Sequence, residues 1–220
     1  MGSALQSGFV MRQDFILDFE TIGQGAHQCP IVDCAYVAFS WDRFLEQPYS
    51  FEELTSLVKT DKFDVKAQYD AGKTFSKADL AWWEKQGEEA KSKLKPKPDD
   101  LTIEQFSDNI FAYLIEVGKI DYWWSRGNSF DPVLLDRVMI DVGKQELMNE
   151  YLKWWRIRDI RTYIDAKFDF STRNGFVPVA DADYWKQAFI AHDSTHDVAA
   201  DVLRLQTIHR AENDLEQLER

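Results

Sequence analysis

The stretch Asp14–Glu20 (DFILDFE) has the pattern of a short buried β-strand that carries acidic side chains. Successive side chains of a strand point to opposite faces, so Asp18 and Glu20 share one face, while Leu17 and Phe19 can fill a core on the other. Two neighbouring carboxylates on a buried strand repel each other and lose hydration, and a divalent cation would compensate for both. The alternative is a solvated acidic face on an edge strand.

Length and composition predict one globular domain. The chain has 220 residues, of which 45% are hydrophobic, and a net charge of −12. Met11 could be the natural start, so we predict a single domain over residues 11–220. The net negative charge of the chain repels phosphate groups. Either the partner is not a polyanion, or the acids gather around cations that reverse the local sign.

Apolar runs, the N-terminal residues and the cysteines predict the cellular compartment and the redox state of the thiols. No apolar run reaches the roughly 20 residues that span a bilayer, and residues 1–10 do not have the pattern of a signal peptide. Cys29 and Cys34 are expected to be free thiols, which suits a reducing compartment. The sequence therefore predicts a cytoplasmic protein without a membrane partner.

Basic residues form two groups that could line a weakly cationic groove: Lys91, Lys93, Lys95 and Lys97, and Lys153, Arg156, Arg158, Arg161, Lys167 and Arg173.

Hydrophobic spacing predicts a mixed α/β sheet covered by helices. Strands are expected at Asp14–Glu20, Ile31–Trp41, Ile120–Ser125 and Asp159–Ile164. Helices are expected at Phe51–Lys59, Lys77–Lys93, Ile103–Val117, Pro132–Val142, Ala182–Ala191 and Thr195–Ala211.

Asp131 follows a predicted strand in the segment Asn128-Ser-Phe-Asp131-Pro132. Asp is favoured as a helix N-cap and Pro suits the first helical position, so a capping role explains the pattern. A carboxylate at the end of a loop can nevertheless also face a functional site.

The segment His192–Asp201 (HDSTHDVAAD) offers a third acid and two histidines. A five-residue separation is poor for one shared helix face, so a His and an Asp converge only if the His precedes the helix. His196 with Asp201 is the preferred pair, because apolar residues surround Asp201 and Ser194 or Thr195 could cap the helix. His192 with Asp197 has the same spacing and remains the alternative.

The order of these motifs resembles the DEDDh 3′-to-5′ exonucleases. Asp18-Phe-Glu20-Thr21, Asn128-Ser-Phe-Asp131 and His196-x4-Asp201 follow one another as in that family. The segment Leu80–Ala90, with Trp82 and Trp83, is similar to the Trp-Trp helix of the phage exonuclease A branch. Val198 departs from the Ala that the third motif usually carries two residues after its His.

The resemblance implies a ribonuclease-H-like fold and a nuclease that shortens single-stranded nucleic acid from its 3′ end. Two Mg²⁺ or Mn²⁺ ions would be held by Asp18, Glu20, Asp131 and Asp201. His196 would act as general base on the attacking water, and Glu20 would be catalytic as well as metal-binding. Substrate contacts are expected from Thr21, Trp83 and Asn128. Hard oxygen ligands suit these cations, and four carboxylates offset two dications.

The resemblance to phage-encoded DNA exonucleases favours DNA as the substrate and release of mononucleotides, by an enzyme acting in a host cytoplasm. An RNA-trimming enzyme is the first alternative, because contacts to a 2′-hydroxyl have no local sequence signature. A catalytically silent nucleic-acid-binding module on the same fold is the second. Trp82 and Trp83 could equally be ordinary helix-packing residues.

Overall fold

The computed structural model describes residues 12–168 and 188–215, and its centre is a five-stranded mixed sheet. The strands are β1 (Gln13–Thr21), β2 (Ile31–Ser40), β3 (Lys59–Lys62), β4 (Trp123–Ser125) and β5 (Ile157–Asp159). Their order in the sheet is β3-β2-β1-β4-β5. β1 pairs antiparallel with β2 and parallel with β4, β2 pairs antiparallel with β3, and β4 pairs parallel with β5.

Helices cover both faces of this sheet. They are α1 (Trp41–Glu46), α2 (Phe51–Leu57), α3 (Val65–Asp70), α4 (Lys77–Trp83), α5 (Glu88–Ser92), α6 (Ile103–Val117), α7 (Asp131–Asp141), α8 (Gln145–Tyr151), α9 (Ile160–Lys167) and α10 (Ser194–Glu212), with a 3₁₀ turn at Trp154–Arg156. The predicted mixed α/β architecture is confirmed. Over the described residues, no helix combines the length and apolar character that crossing a membrane requires.

The alternation along β1 divides the core into two layers. Phe15, Leu17 and Phe19 pack with α6, α7 and α8 on one face, whereas Ile16 packs with α1, α2, α9 and α10 on the other. Asp18 therefore faces α10, as does Glu20, because both share the parity of Ile16. Apolar side chains therefore fill a core layer on each side of β1, and the alternation along the strand places both acids on the α10 side.

Helix α6 begins and ends where the sequence predicts. The Thr102 hydroxyl accepts from the Gln105 amide N–H while the Gln105 side chain accepts from the Thr102 amide N–H, which makes a capping box. At the other end, Gly118 has a φ of 81°, a conformation that glycine adopts at little cost. Local sequence signals alone set both ends of this helix.

Other predicted elements differ from the structure. Residues 159–164 are not a strand: Asp159 Oδ1 accepts from the Thr162 amide N–H and caps α9, so only Ile157–Asp159 pairs with β4. The helix predicted over 77–93 divides into α4 and α5 near Gly87, which precedes α5 as its N-cap. Strand β3 and helix α8 were not predicted, and most of the helix expected at Ala182–Ala191 lies outside the described residues.

Candidate metal centre and active site

Three carboxylates converge where β1 meets the first turn of α10. Asp18, Glu20 and Asp197 each place one oxygen within 4.8 Å of the others. The first two leave the same face of β1, and the third lies one turn into the helix that packs on that face. All three are partly buried. Such a set of oxygen donors fits a hard divalent cation.

Three buried acids outside this group, Asp14, Asp33 and Asp201, have cationic partners. Asp14 accepts from Arg12 Nη2 at 2.7 Å and from the indole N–H groups of Trp41 and Trp124 at 2.7 and 2.8 Å. Within residues 12–168 and 188–215, by contrast, Asp18 has neither a hydrogen-bond donor nor an ion-pair partner. Because a buried carboxylate requires a compensating charge, the three-acid group calls for a cation from outside the chain.

The pKa values of these three carboxyl groups also indicate that the group lacks a compensating positive charge. Burial, and then repulsion by Asp131 and Glu20, raises the pKa of Asp18 well above its usual value. Burial and the neighbouring Asp33 raise the pKa of Glu20 to about 8, and burial with repulsion by Asp201 raises the pKa of Asp197 to about 7. In the absence of a cation, these carboxyl groups therefore hold protons at pH values where a free acid has lost them.

Asp131 lies beside the group and does not cap α7. Phe130 is the N-cap of that helix and makes no side-chain capping bond, whereas Asp131 is 4% exposed and turns toward β1. Its Oδ1 accepts from the Phe19 amide N–H at 3.2 Å. Burial raises its pKa to about 7 despite that hydrogen bond. The capping explanation is therefore replaced by a carboxylate that faces the acids of β1.

The start of α10 decides which histidine faces the acids. Asp193 is the N-cap, and its Oδ1 accepts from the amide N–H groups of Thr195 and His196. His192 therefore precedes the helix, and its Nδ1 lies 4.0 Å from Glu20 Oε1. Its φ is 60°, a strained conformation for a residue with a Cβ, and its ring meets Trp82 edge-on at 4.7 Å between centroids. Burial lowers its pKa below the usual value.

The structure places His196 inside α10, in the turn that Asp193 caps. Its Nδ1 accepts from the Ile190 amide N–H at 2.9 Å, and its ring packs edge-on against Phe51 at 5.3 Å. Burial lowers its pKa as well, partly offset by Asp193. Because one ring nitrogen is engaged by the backbone and the ring lies between apolar side chains, this histidine ties the preceding segment to α2.

Asp201 also lies outside the three-acid group. It is 4% exposed, and its carboxylate accepts from Arg126 Nε at 2.9 Å and from Arg204 Nη1 at 2.5 Å. Burial alone would raise its pKa, but the two guanidinium groups hold the pKa of Asp201 below its usual value. The apolar surroundings did indicate that this acid needs a partner; two arginines provide it.

One lysine of the first basic group is part of this region. Lys93 Nζ lies 2.7 Å from Asp33 Oδ2 and 3.1 Å from Asp193 Oδ2, so it joins β2 to the N-cap of α10. Its charge also lowers the pKa of Glu20, against the effect of burial and of Asp33. These contacts of Lys93 could not be predicted from the sequence, because its acidic partners lie far away along the chain.

The predicted substrate contacts occupy different environments. Trp83 is 1% exposed, and its Nε1 donates to the Thr21 carbonyl at 3.0 Å, so it supports the end of β1 from the core. Trp82 is the exposed indole of the pair, with 42% of its surface accessible. Thr21 is buried and donates through Oγ1 to the Gly23 carbonyl at 2.7 Å. Asn128 is exposed, and its amide N–H donates to Asp159 Oδ2 at 3.0 Å.

The raised pKa values predict how stability depends on pH. The carboxyl groups of Glu20, Asp131 and Asp197 ionise in the unfolded chain near pH 4 but in the folded chain only near pH 7 to 8. The metal-free protein should therefore lose stability as pH rises from about 5 to about 8, and a divalent cation should raise Tm more at the higher pH. Thermal melts with and without Mg²⁺ test this. An equal Mg²⁺ effect at both pH values would show that these acids do not hold the ion.

Known proteins with similar sequences or folds are nucleases. The family model described as the 3′-5′ exoribonuclease Rv2179c-like domain matches residues 13–203. The exodeoxyribonuclease of Enterobacteria phage T4 is 36% identical over 208 residues, 87% of this chain and 87% of the phage protein. The zinc-bound form of the Escherichia coli ExoI complex with single-stranded DNA has a TM-score of 0.56 and 11% identity, over 93% of this chain and 42% of that one.

These likenesses confirm several of the predictions made from sequence. The resemblance to DEDDh exonucleases, the ribonuclease-H-like fold and the assignment as a nuclease are all confirmed. This chain spans less than half of the ExoI chain, and at 11% identity that likeness concerns the fold alone. The family model covers most of the present sequence. The chain therefore belongs to the family of Rv2179c-like 3′-5′ exoribonuclease domains and is a 3′-to-5′ exonuclease.

Proposed function

We propose that this exonuclease hydrolyses single-stranded DNA from the 3′ end and releases mononucleotides, with two Mg²⁺ or Mn²⁺ ions held by Asp18, Glu20, Asp131 and Asp197. The observation that carries the proposal is the convergence of three partly buried carboxylates within 4.8 Å. Bound there, two cations would stabilise the charge that develops on phosphorus and on the attacking and leaving oxygens. The proposal keeps three of the four ligands expected from sequence and exchanges Asp201 for Asp197.

Each residue of the group would have a different role in holding the cations. Asp18 is repelled by Asp131 and Glu20, and also by Asp197 and Asp201, so it suits a position shared by both ions. Asp131 accepts from the Phe19 amide N–H through Oδ1, which fixes the orientation of its carboxylate beside β1. Lys93 stabilises the ionised form of Glu20 and holds the start of α10 in place.

We assign the general base to His192, the alternative that the sequence left open. It precedes α10, lies next to Glu20 and has a lowered pKa, so it is neutral at neutral pH and can accept a proton from the attacking water. A position on the turn before a helix also allows the ring to approach and leave the reacting phosphate. Asp193, as the N-cap, fixes the backbone on which this histidine sits.

DNA is favoured over RNA by one comparison and opposed by another. The T4 relative, at 36% identity, bears the name exodeoxyribonuclease. The family description names an exoribonuclease, which keeps RNA trimming as the second candidate. The overall charge of −12 argues against tight binding of a long duplex, because little of the surface would attract a polyanion.

The deciding experiment compares 5′-labelled single-stranded DNA and RNA of equal sequence with Mn²⁺. We expect a ladder shortened from the 3′ end on DNA, no turnover in chelator, and recovery when Mg²⁺ or Mn²⁺ is restored, because the acids require cations. A 3′-phosphate should slow cleavage, and a circular single strand should remain intact. Faster shortening of the RNA would transfer the proposal to the second candidate, and cutting of the circle would contradict an exonuclease.

A further inference from the structure

Two exposed tryptophans lie at the far edge of the sheet from the acids of β1. Trp154 and Trp155 form the 3₁₀ turn before β5, the edge strand, and are 69% and 55% exposed. Their rings meet edge-on at 5.6 Å between centroids. Large apolar side chains with this exposure contribute nothing to the core, so their position requires another explanation.

The backbone that carries these rings is held firmly. The Lys153 carbonyl accepts from Trp123 Nε1 at 3.0 Å and from the Arg156 amide N–H at 2.9 Å. Arg156 Nη1 donates to the Ile120 carbonyl at 2.8 Å. The indoles are therefore presented by a turn that is anchored to β4 and to the segment before it.

Cations accompany the aromatic rings. Lys153 Nζ lies 5.3 Å from the Trp155 ring centroid, and the Arg158 guanidinium lies 4.1 Å from that of Tyr122. Over the described ranges, no salt bridge involves Lys153, Arg156 or Arg158. In a chain with a net charge of −12, three cations that form no salt bridge within the described ranges lie beside exposed indoles, and they complement a polyanion that carries flat apolar groups.

We propose that Trp154 and Trp155, with Lys153, Arg156 and Arg158, form an accessory binding surface for the 5′ part of the single-stranded substrate; this rests on the proposed function. Bases would stack on the indoles and phosphates would meet the cations, an arrangement that binds single strands without reading sequence. We call these five residues the indole surface.

The sheet connects the indole surface to the acids. β5 leads from the 3₁₀ turn to Asp159, whose carboxylate holds the Asn128 loop that precedes Asp131. The pairing registers place Ile157 level with Phe15, three residues before Asp18 on β1 and two strands away. With about 3.3 Å per residue and about 4.8 Å between strands, the rings lie on the order of 15–20 Å from the acids. A dinucleotide at the acids cannot reach them, whereas a longer strand can.

The test varies substrate length. In the double variant Trp154→Ala/Trp155→Ala, we expect KM to rise about tenfold or more for a strand longer than the about 4–16 nucleotides that such grooves cover, with kcat unchanged. Cleavage of a dinucleotide should be unaffected. Lys153→Gln should reduce the salt dependence of KM for the long strand. Ile115→Ala, which removes a side chain 64% exposed on α6, is the matched control and should change nothing.

Binding of the same long strand, labelled with a fluorophore and measured by anisotropy in chelator, makes the result independent of turnover. Weaker binding by the double variant supports the indole surface even if the proposed reaction fails on every substrate. Unchanged binding and KM would overturn the proposal and leave the indoles as a site for a protein. An equal rise of KM on the dinucleotide would also overturn it, because the rings would then act through the active site.

Discussion

Asp197→Asn is expected to lower kcat by about 10³-fold or more. The substitution keeps the shape of the side chain but removes a charge that helps to hold the cations. The cations stabilise the reacting phosphate by several kcal/mol, so weaker cation binding lowers the rate. Mn²⁺ titration by calorimetry should show weakened binding at the same time. Removing one repelling carboxylate from the metal-free group should leave the fold intact or make it slightly more stable.

Asp201→Asn is the matched comparison, because it makes the same chemical change four residues further along α10. It removes the carboxylate that the buried guanidinium groups of Arg126 and Arg204 share, so Tm should fall. The fraction that remains folded should bind Mn²⁺ and turn over within about tenfold of wild type. The reverse result, with Asp201→Asn folded but inactive and Asp197→Asn active, would assign the fourth carboxylate to Asp201.

Periodicity and local capping signals were sufficient for most of the architecture. β1 was predictable because acids and large apolar residues alternate along it, and α6 because both of its ends carry strong signals. β3 was not, since Lys59–Lys62 is short and polar and becomes a strand only by pairing with β2. The error at residues 159–164 has a similar origin: β-branched residues favour a strand there, but the Asp159 cap starts a helix.

The kind of site was predictable from the sequence, whereas the choice of histidine and of the acid on α10 stays a prediction. Alternation on β1 placed Asp18 and Glu20 together, and the apolar setting of Asp201 indicated that this acid needs a partner. That setting reflects burial beside Arg126, a contact 75 residues away along the chain, and Asp201 also acts electrostatically on Asp18 and Asp131. Asp193 is as good an N-cap as Ser194, and a helix that begins there leaves His192 rather than His196 before its first turn.

His192→Ala is expected to lower kcat by about 10²-fold or more and to leave Mn²⁺ affinity nearly unchanged, because the ring moves a proton and is not among the acids that hold the ions. In wild type, the rate should rise with pH as the imidazolium loses its proton, since only the neutral ring accepts one. Burial lowers the pKa of His192, so this rise should be centred below the usual histidine value of about 6.5 and the rate should be level at neutral pH. The variant should lose that limb.

His196→Ala separates this role from a structural one. It removes the acceptor for the Ile190 amide N–H and the contact with Phe51, so it should lower Tm. The folded protein should nevertheless keep the wild-type pH–rate profile, which a general base could not do. The comparison is made at saturating Mg²⁺ on one short DNA strand, so that neither metal affinity nor distant substrate contacts affect the rate. Loss of the acidic limb in His196→Ala, with His192→Ala unchanged, would return the base to His196 and require α10 to begin later in the active enzyme.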